Sequence, residues 1–362
     1  MFFRCRVPNG GDLYMSILVN ASKKIIIDRT LIHMKKNTKT LNSRKVAHFL
    51  KLLYGLGVDL IEIGNDIVSN IEELPQDLNY VYRVNKNSDV LDLNKQEYDY
   101  VVIEYKNVFD LDVMSIKRIK NNKVMLEINI EDLDELYLDE NHKMFVLFNI
   151  KCVIIKNINK YNLESFAGLI KDLKTNFLVE VGFCACNKFY MGTAITMDVC
   201  TDGADFITTA FNGENYGYTP LEEVIVALKV IKNSTLSGNL KLLPETARVY
   251  TELTGEKIYC MKAVLGDDIF KYESGIHVDG ITKDSKTYEP YQPSDIGKER
   301  KMLIGKHSGK KAVMVKLQEL NIDYTYINME DFLSEIREKS IKLKRNILDG
   351  ELAQMCKSFN NV

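Results

Sequence analysis

Residues 23–63 read KKIIIDRTLIHMKKNTKTLNSRKVAHFLKLLYGLGVDLIEI, and the fold is decided here. Lys23–Asp28 is a short β-branched run, the mark of a buried strand. From Ser43 to Gly57 apolar residues fall at Val46, Phe49, Leu50, Leu53 and Leu56, a helical spacing closed by a glycine. Asp59–Ile63 (DLIEI) is a second strand. A strand, a helix and another strand imply a crossover between parallel neighbours. The unit recurs. Tyr98–Glu104, Val124–Ile128, Met144–Leu147, Cys152–Ile155, Phe177–Gly182 and Asp205–Thr209 read as strands, with amphipathic stretches such as Asn162–Leu173 and Pro220–Ile231 between them. Seven or eight such units over roughly 230 residues match the size of a (β/α)8 barrel. A doubly wound open sheet is the alternative that periodicity leaves standing.

Outward from the repeat the texture changes. Residues 1–22 read as an irregular lead-in, 23–240 as the barrel, and 241–362 as a C-terminal subdomain of loops and helices. Pro244–Leu253 reads as a helix ending at Gly255. Residues 260–310 are rich in Gly, Pro, Tyr and Asp, and two helices follow, near Gly309–Leu320 and Asn328–Phe359. With 48 basic and 50 acidic residues the chain carries a formal charge of -2, which gives no electrostatic case for nucleic acid or an anionic membrane. No apolar run approaches the roughly 20 residues of a membrane span, and the first residues lack a signal-peptide pattern. The seven cysteines are scattered and odd in number, which argues against a disulfide framework and for a reducing cytoplasm.

Residues 273–309 read ESGIHVDGITKDSKTYEPYQPSDIGKERKMLIGKHSG. The pieces ESGIHVDG, KTYEPYQP and IGKHSG, in this order and spacing, are similar to the segment that follows the barrel in homocitrate and isopropylmalate synthases. Gly203–Glu223 resembles the last barrel strands of that family. IIIDRTL and GVDLIEIG resemble its first two. The resemblance covers about residues 23–315, strongest after 203 and weak from 70 to 180, and the chain length favours a homocitrate synthase-like member. It implies a TIM barrel with a C-terminal subdomain, in a domain-exchanged dimer. The implied reaction condenses acetyl-CoA with a 2-oxo acid, 2-oxoglutarate in the homocitrate case, on a divalent metal (Mg, Mn or Zn) with an acid–base set. On the matching positions His277, Tyr288 and Glu62 are the candidate catalytic residues, and Glu289 and Thr209 the candidate substrate contacts. His307, in IGKHSG, is expected to be structural.

The sequence also departs from the family pattern. Where the family's first strand ends in Asp-Thr-Thr-Leu-Arg-Asp-Gly-Glu-Gln, this chain reads Asp28-Arg29-Thr30-Leu31-Ile32-His33-Met34-Lys35-Lys36. Ile32 stands for the arginine, His33 for the metal-binding aspartate and Lys35 for the glutamate. The family's His-x-His-Asn-Asp appears as Cys184-Ala185-Cys186-Asn187-Lys188, Ile195 falls where a later asparagine is expected, and Lys156-Asn157-Ile158-Asn159 stands for Asp-Thr-Val-Gly. A hard cation prefers oxygen and imidazole donors, so two readings follow. Either the barrel site is dead, or it was rebuilt as a soft set of His33, Cys184 and Cys186 with an open fourth position, as in catalytic zinc sites. The plain alternative is that the cysteines are small buried hydrophobes.

Three functions follow from the resemblance. The leading one is a catalytically impaired homocitrate synthase-like subunit, a homodimer or a heterodimer with an active homologue. Two-chain homocitrate synthases occur in some anaerobic nitrogen fixers, where homocitrate serves the nitrogenase cofactor. The second is a stand-alone acyltransferase with a rebuilt metal site, in which Lys35 or Lys188 could supply the lost positive charge. The third is a non-enzymatic protein that binds a 2-oxo acid or CoA.

Overall fold

A computed structural model describes residues 17–34, 42–71, 73–158, 165–273, 277, 280–281 and 283–359. Its first element is a hairpin of β1 (Ile17–Val19) and β2 (Ser22–Asp28). The two turn residues, Asn20 and Ala21, both have positive φ, 50° and 61°, the geometry whose twist matches paired strands. The other strands are β3 (Leu60–Gly64), β4 (Tyr80–Val84), β5 (Tyr100–Glu104), β6 (Val124–Asn129), β7 (Ile150–Ile158), β8 (Glu180–Ala185) and β9 (Phe206–Thr209). They pair in parallel and in sequence order from β2 to β9, and β9 returns to β2 with Thr209 opposite Asp28. Eight strands thus close on themselves, which excludes the open doubly wound sheet. The short β10 (Thr235–Leu236) pairs antiparallel with β1.

Helices occupy the crossovers where the spacing predicted them, notably Ser43–Leu56 and Leu221–Ile231. Ser43–Leu56 is capped by the Asn42 side chain at one end and ends on Gly57 at φ 105°, which a side chain adopts only with strain. The stretch expected over Asn162–Leu173 forms a helix at Ala167–Phe177; residues 159–164 lie outside the described residues.

Two strand assignments change. Met144–Leu147 is not a strand but the end of the helix Asp139–Leu147. Four apolar residues in a row look like a buried strand, yet Val146 is 79% exposed and only Met144 is buried. The strand the sequence reading passed over is β4, YVYRV. All five of its residues are buried, Arg83 included. An arginine argues against a buried strand only when nothing inside the barrel neutralises it. The lead-in changes as well, since β1 and the start of β2 fall within 1–22. Residues 1–16 lie outside the described residues.

The chain divides into two compact units between Ile258 and Tyr259. The helix Leu243–Thr254 therefore falls in the first unit, beyond the expected boundary at 240, because it packs on Ser43–Leu56. In the second unit β11 (Lys271–Tyr272) and β12 (Lys301–Met302) pair in parallel, and three helices follow: Lys310–Glu319, Met329–Leu343 and Asp349–Phe359. The helix expected over Asn328–Phe359 is two helices, broken at Lys344, whose φ is 53°. Phe332, Ile336, Val313, Leu317 and Leu352 form the core of this unit. Among the described residues no helix is long and apolar enough to cross a membrane.

Candidate functional site

Period-two alternation brings the charges to one end of the barrel. Ile27, Leu60, Val81, Val102, Met125 and Ile154 meet in its apolar interior. Two residues further along each strand, on the same face, stand Arg29, Glu62, Arg83, Glu104, Glu127 and Lys156. These are the C-terminal strand ends, where barrels of this kind place their reacting groups. A cavity of about 400 Å³ lies there, lined by these six side chains and by His33, Cys184, Cys186, Tyr216 and Tyr218.

The centre of the cavity is an alternating box of two arginines and two carboxylates. Arg29 donates from Nε and Nη2 to Glu62 Oε2 at 3.2 and 3.0 Å, and from Nη2 to Glu127 Oε1 at 2.6 Å. Arg83 donates from Nε to Glu62 Oε1, and its Nη2 lies 2.9 Å from Glu127 Oε2. Lys156 sits 2.6 Å from Glu104 and 3.9 Å from Glu127. The side chains of Glu62 and Glu127 are 1% and 2% exposed, so these are ion pairs out of water, where each charge depends on its partners. Burial would raise Glu62, but Arg29 and Arg83 outweigh it and hold the carboxyl below its usual range. Glu127 is held down against the same burial by Arg29, Arg83 and Lys156. Burial alone would lower Arg83, and Glu127 and Glu62 raise it instead. Glu62, the expected catalytic carboxylate, is thus ionised and committed on both oxygens to arginines.

The expected metal set is not assembled. His33, Cys184 and Cys186 line the same cavity, but among the described residues no group of three or more His, Cys, Asp or Glu side chains could hold a metal ion. The His33 ring stacks on Tyr218 at 4.2 Å and on Tyr216 at 5.5 Å. Cys184 accepts from Arg29 Nη1 at 3.4 Å, and burial pushes its thiol up to about 11. Of the carboxylates at the cavity, Glu62 and Glu127 are paired with Arg29 and Arg83, and Glu104 with Lys156. The residues present do not fit the family's divalent metal.

Other expectations resolve separately. Thr209 is buried, its hydroxyl donates to the Ile27 carbonyl at 3.4 Å, and it does not line the cavity, so it is not a substrate contact there. Ile195 is buried in the helix Gly192–Asp202. Ile32 lines the cavity, as does Arg29. Lys188 is exposed at the same cavity. Lys35 lies outside the described residues.

In the second unit His277 and Tyr288 meet, with ring centroids 4.5 Å apart and planes tilted by 38°. They line a separate cavity of about 360 Å³ with Phe270, Tyr272 and Tyr291. Glu289 lines it too, but its carboxylate accepts from Arg300 Nε at 2.9 Å on both oxygens and from Nη2 at 2.6 Å. It holds Arg300, which weakens its case as a substrate contact. The His307 backbone amide donates to Glu273 Oε1 at 2.6 Å, tying IGKHSG back to the start of ESGIHVDG.

Sequence reasoning missed Arg29, Arg83, Glu104 and Glu127. The signal was present: IIIDR, LIE, VYR, VIE, MLE and IIK each put a charge two residues past an interior apolar position.

A model of the family described as "Homocitrate synthase post-HMGL domain-like" matches residues 264–344. The chain is 46% identical over 349 residues to the homocitrate synthase omega subunit of Clostridium pasteurianum, which covers 96% of this chain and 99% of that one. It is 35% identical over 178 residues to homocitrate synthase AksA of Methanothermobacter thermautotrophicus, covering 49% of this chain and 46% of the relative. Among solved structures it is similar to an HMG-CoA lyase from Acinetobacter baumannii in complex with coenzyme A and 3-methylmalate. The TM-score is 0.52 at 10% identity, over 68% of this chain and 96% of that one, a likeness of fold alone. The full-length match decides: the chain belongs to the homocitrate synthase family, as a homocitrate synthase-like protein built on a TIM barrel.

Proposed function

We propose that this chain is one subunit of a two-chain homocitrate synthase and works with a homologue whose barrel is complete. In this reading its own barrel does not condense acetyl-CoA with 2-oxoglutarate. Its His277–Tyr288 segment supplies acid–base groups to the partner's barrel. Removal of a methyl proton from acetyl-CoA and protonation of the new alkoxide both need such groups within hydrogen-bond reach of the reacting atoms. The observation that carries the reading is the contrast between the two units. His277 and Tyr288 stand together at a cavity, whereas the barrel's carboxylates are closed into ion pairs with Arg29 and Arg83. The omega-subunit description of the Clostridium pasteurianum relative supports a multi-chain enzyme. A cytoplasmic site of action and a role in supplying homocitrate to nitrogenase belong to the same proposal. The rebuilt zinc site gains no support, because among the described residues His33, Cys184 and Cys186 form no group that could hold a metal ion.

The test is CoA release from acetyl-CoA and 2-oxoglutarate, by the chain alone and mixed with a complete-barrel homologue from the same organism. The chain alone should give no turnover with Mg²⁺, Mn²⁺ or Zn²⁺. The mixture should exceed the homologue alone, and His277→Ala in this chain should remove that gain by about 10²-fold or more. Metal-dependent turnover by this chain alone would refute the proposal.

A further inference from the structure

We infer that the guanidinium groups of Arg29 and Arg83 take the place and the charge of a divalent cation at the mouth of this barrel. The barrel then needs no metal, and removal of Arg29 opens a cation site between Glu62 and Glu127. One atom makes the case. Arg29 Nη2 lies 3.0 Å from Glu62 Oε2 and 2.6 Å from Glu127 Oε1, so a single cationic nitrogen is shared by two carboxylates. That is the position a bridging metal ion takes when two carboxylates hold it. The remaining oxygens face Arg83: Oε1 of Glu62 accepts from its Nε, and Oε2 of Glu127 lies 2.9 Å from its Nη2. Three of the four oxygens accept guanidinium hydrogen bonds, the fourth, Glu127 Oε2, meets Arg83 as an ion pair only, and two positive charges balance two negative ones. An added dication would have to displace a guanidinium and would meet the other at close range, in a site too buried for solvent to screen the repulsion. The other soft and imidazole donors at the cavity, Cys184, Cys186 and His33, form no ligand group.

Removing Arg29 reverses the balance. Glu62 and Glu127 would then carry two charges against Arg83 and the more distant Lys156, beside a cavity roomy enough for the waters that Mg²⁺ or Mn²⁺ retains. A buried carboxylate that loses its partner is destabilising, and a metal ion is the natural replacement. The inference does not depend on the identity of a partner chain, because its readouts are metal binding and melting temperature.

The experiment titrates Mn²⁺ into the full chain, following free Mn²⁺ by its paramagnetic resonance signal and Tm by thermal unfolding. The wild-type chain should bind no Mn²⁺ at the barrel, and neither EDTA nor Mn²⁺ should move its Tm. Arg29→Met should lower Tm by about 10 °C, and Mn²⁺ should restore much of the loss where choline chloride at matched ionic strength does not. Glu62→Gln added to Arg29→Met should abolish the rescue. Saturable wild-type binding that Glu62→Gln removes would overturn the inference, as would a folded Arg29→Met chain indifferent to Mn²⁺. Should Arg29→Met not fold with or without Mn²⁺, the wild-type titration still decides.

Discussion

Asp28 ends β2 with no exposed surface, accepting from the Thr30 amide at 3.0 Å and from the Thr30 hydroxyl at 2.9 Å. Burial outweighs these bonds and raises its carboxyl from 3.8 to about 7. A raised carboxyl favours the fold while protonated, so its contribution is complete below about pH 4 and is lost as pH rises through about 7. The loss is on the order of 4 kcal/mol. Asp28→Asn cannot titrate. Urea unfolding between pH 4 and pH 8 should therefore show the stability difference moving steadily in favour of the variant as pH rises. A difference independent of pH would refute a buried, raised Asp28. At this scale the sequence was half legible. Glu62 could be placed at a strand end from DLIEI, but its partners Arg29 and Arg83 lie 33 positions before it and 21 after it in the chain. Nothing local says which charge meets which.

Elements were legible wherever one period dominated. Ser43–Leu56 shows a 3.6-residue stripe, an Asn cap and a closing glycine, and all three signals agree. The two misread strand assignments failed for opposite reasons. Met144–Leu147 is apolar without being buried, and β4 is buried without being apolar throughout. Val146→Lys separates the assignments for the first. On a helix surface at 79% exposure the change should alter unfolding free energy by no more than about 0.5 kcal/mol. In a buried strand the same lysine would cost several times that. Chemical denaturation of the variant decides.

The whole molecule has two units, each with its own core, and this governs how damage is felt. Phe332 is fully buried in the C-terminal core, so Phe332→Ala should destabilise that unit by about 3–5 kcal/mol. In calorimetry the loss should appear in the transition of residues 259–362, and a uniform drop across the whole unfolding profile would contradict the division. The sequence by itself determined the repeating strand–helix units, the loop-rich C-terminal segment and the resemblance to the family, and the closure of the strands then excluded the open sheet. Hydrophobic period, turn residues and long motifs are properties of contiguous chain. Only the tertiary structure decided what the barrel mouth contains. Closing eight strands brings Arg29, Glu62, Arg83 and Glu127 from four of the crossover units into one buried box, and the charge of each is tolerable only because the other three are there.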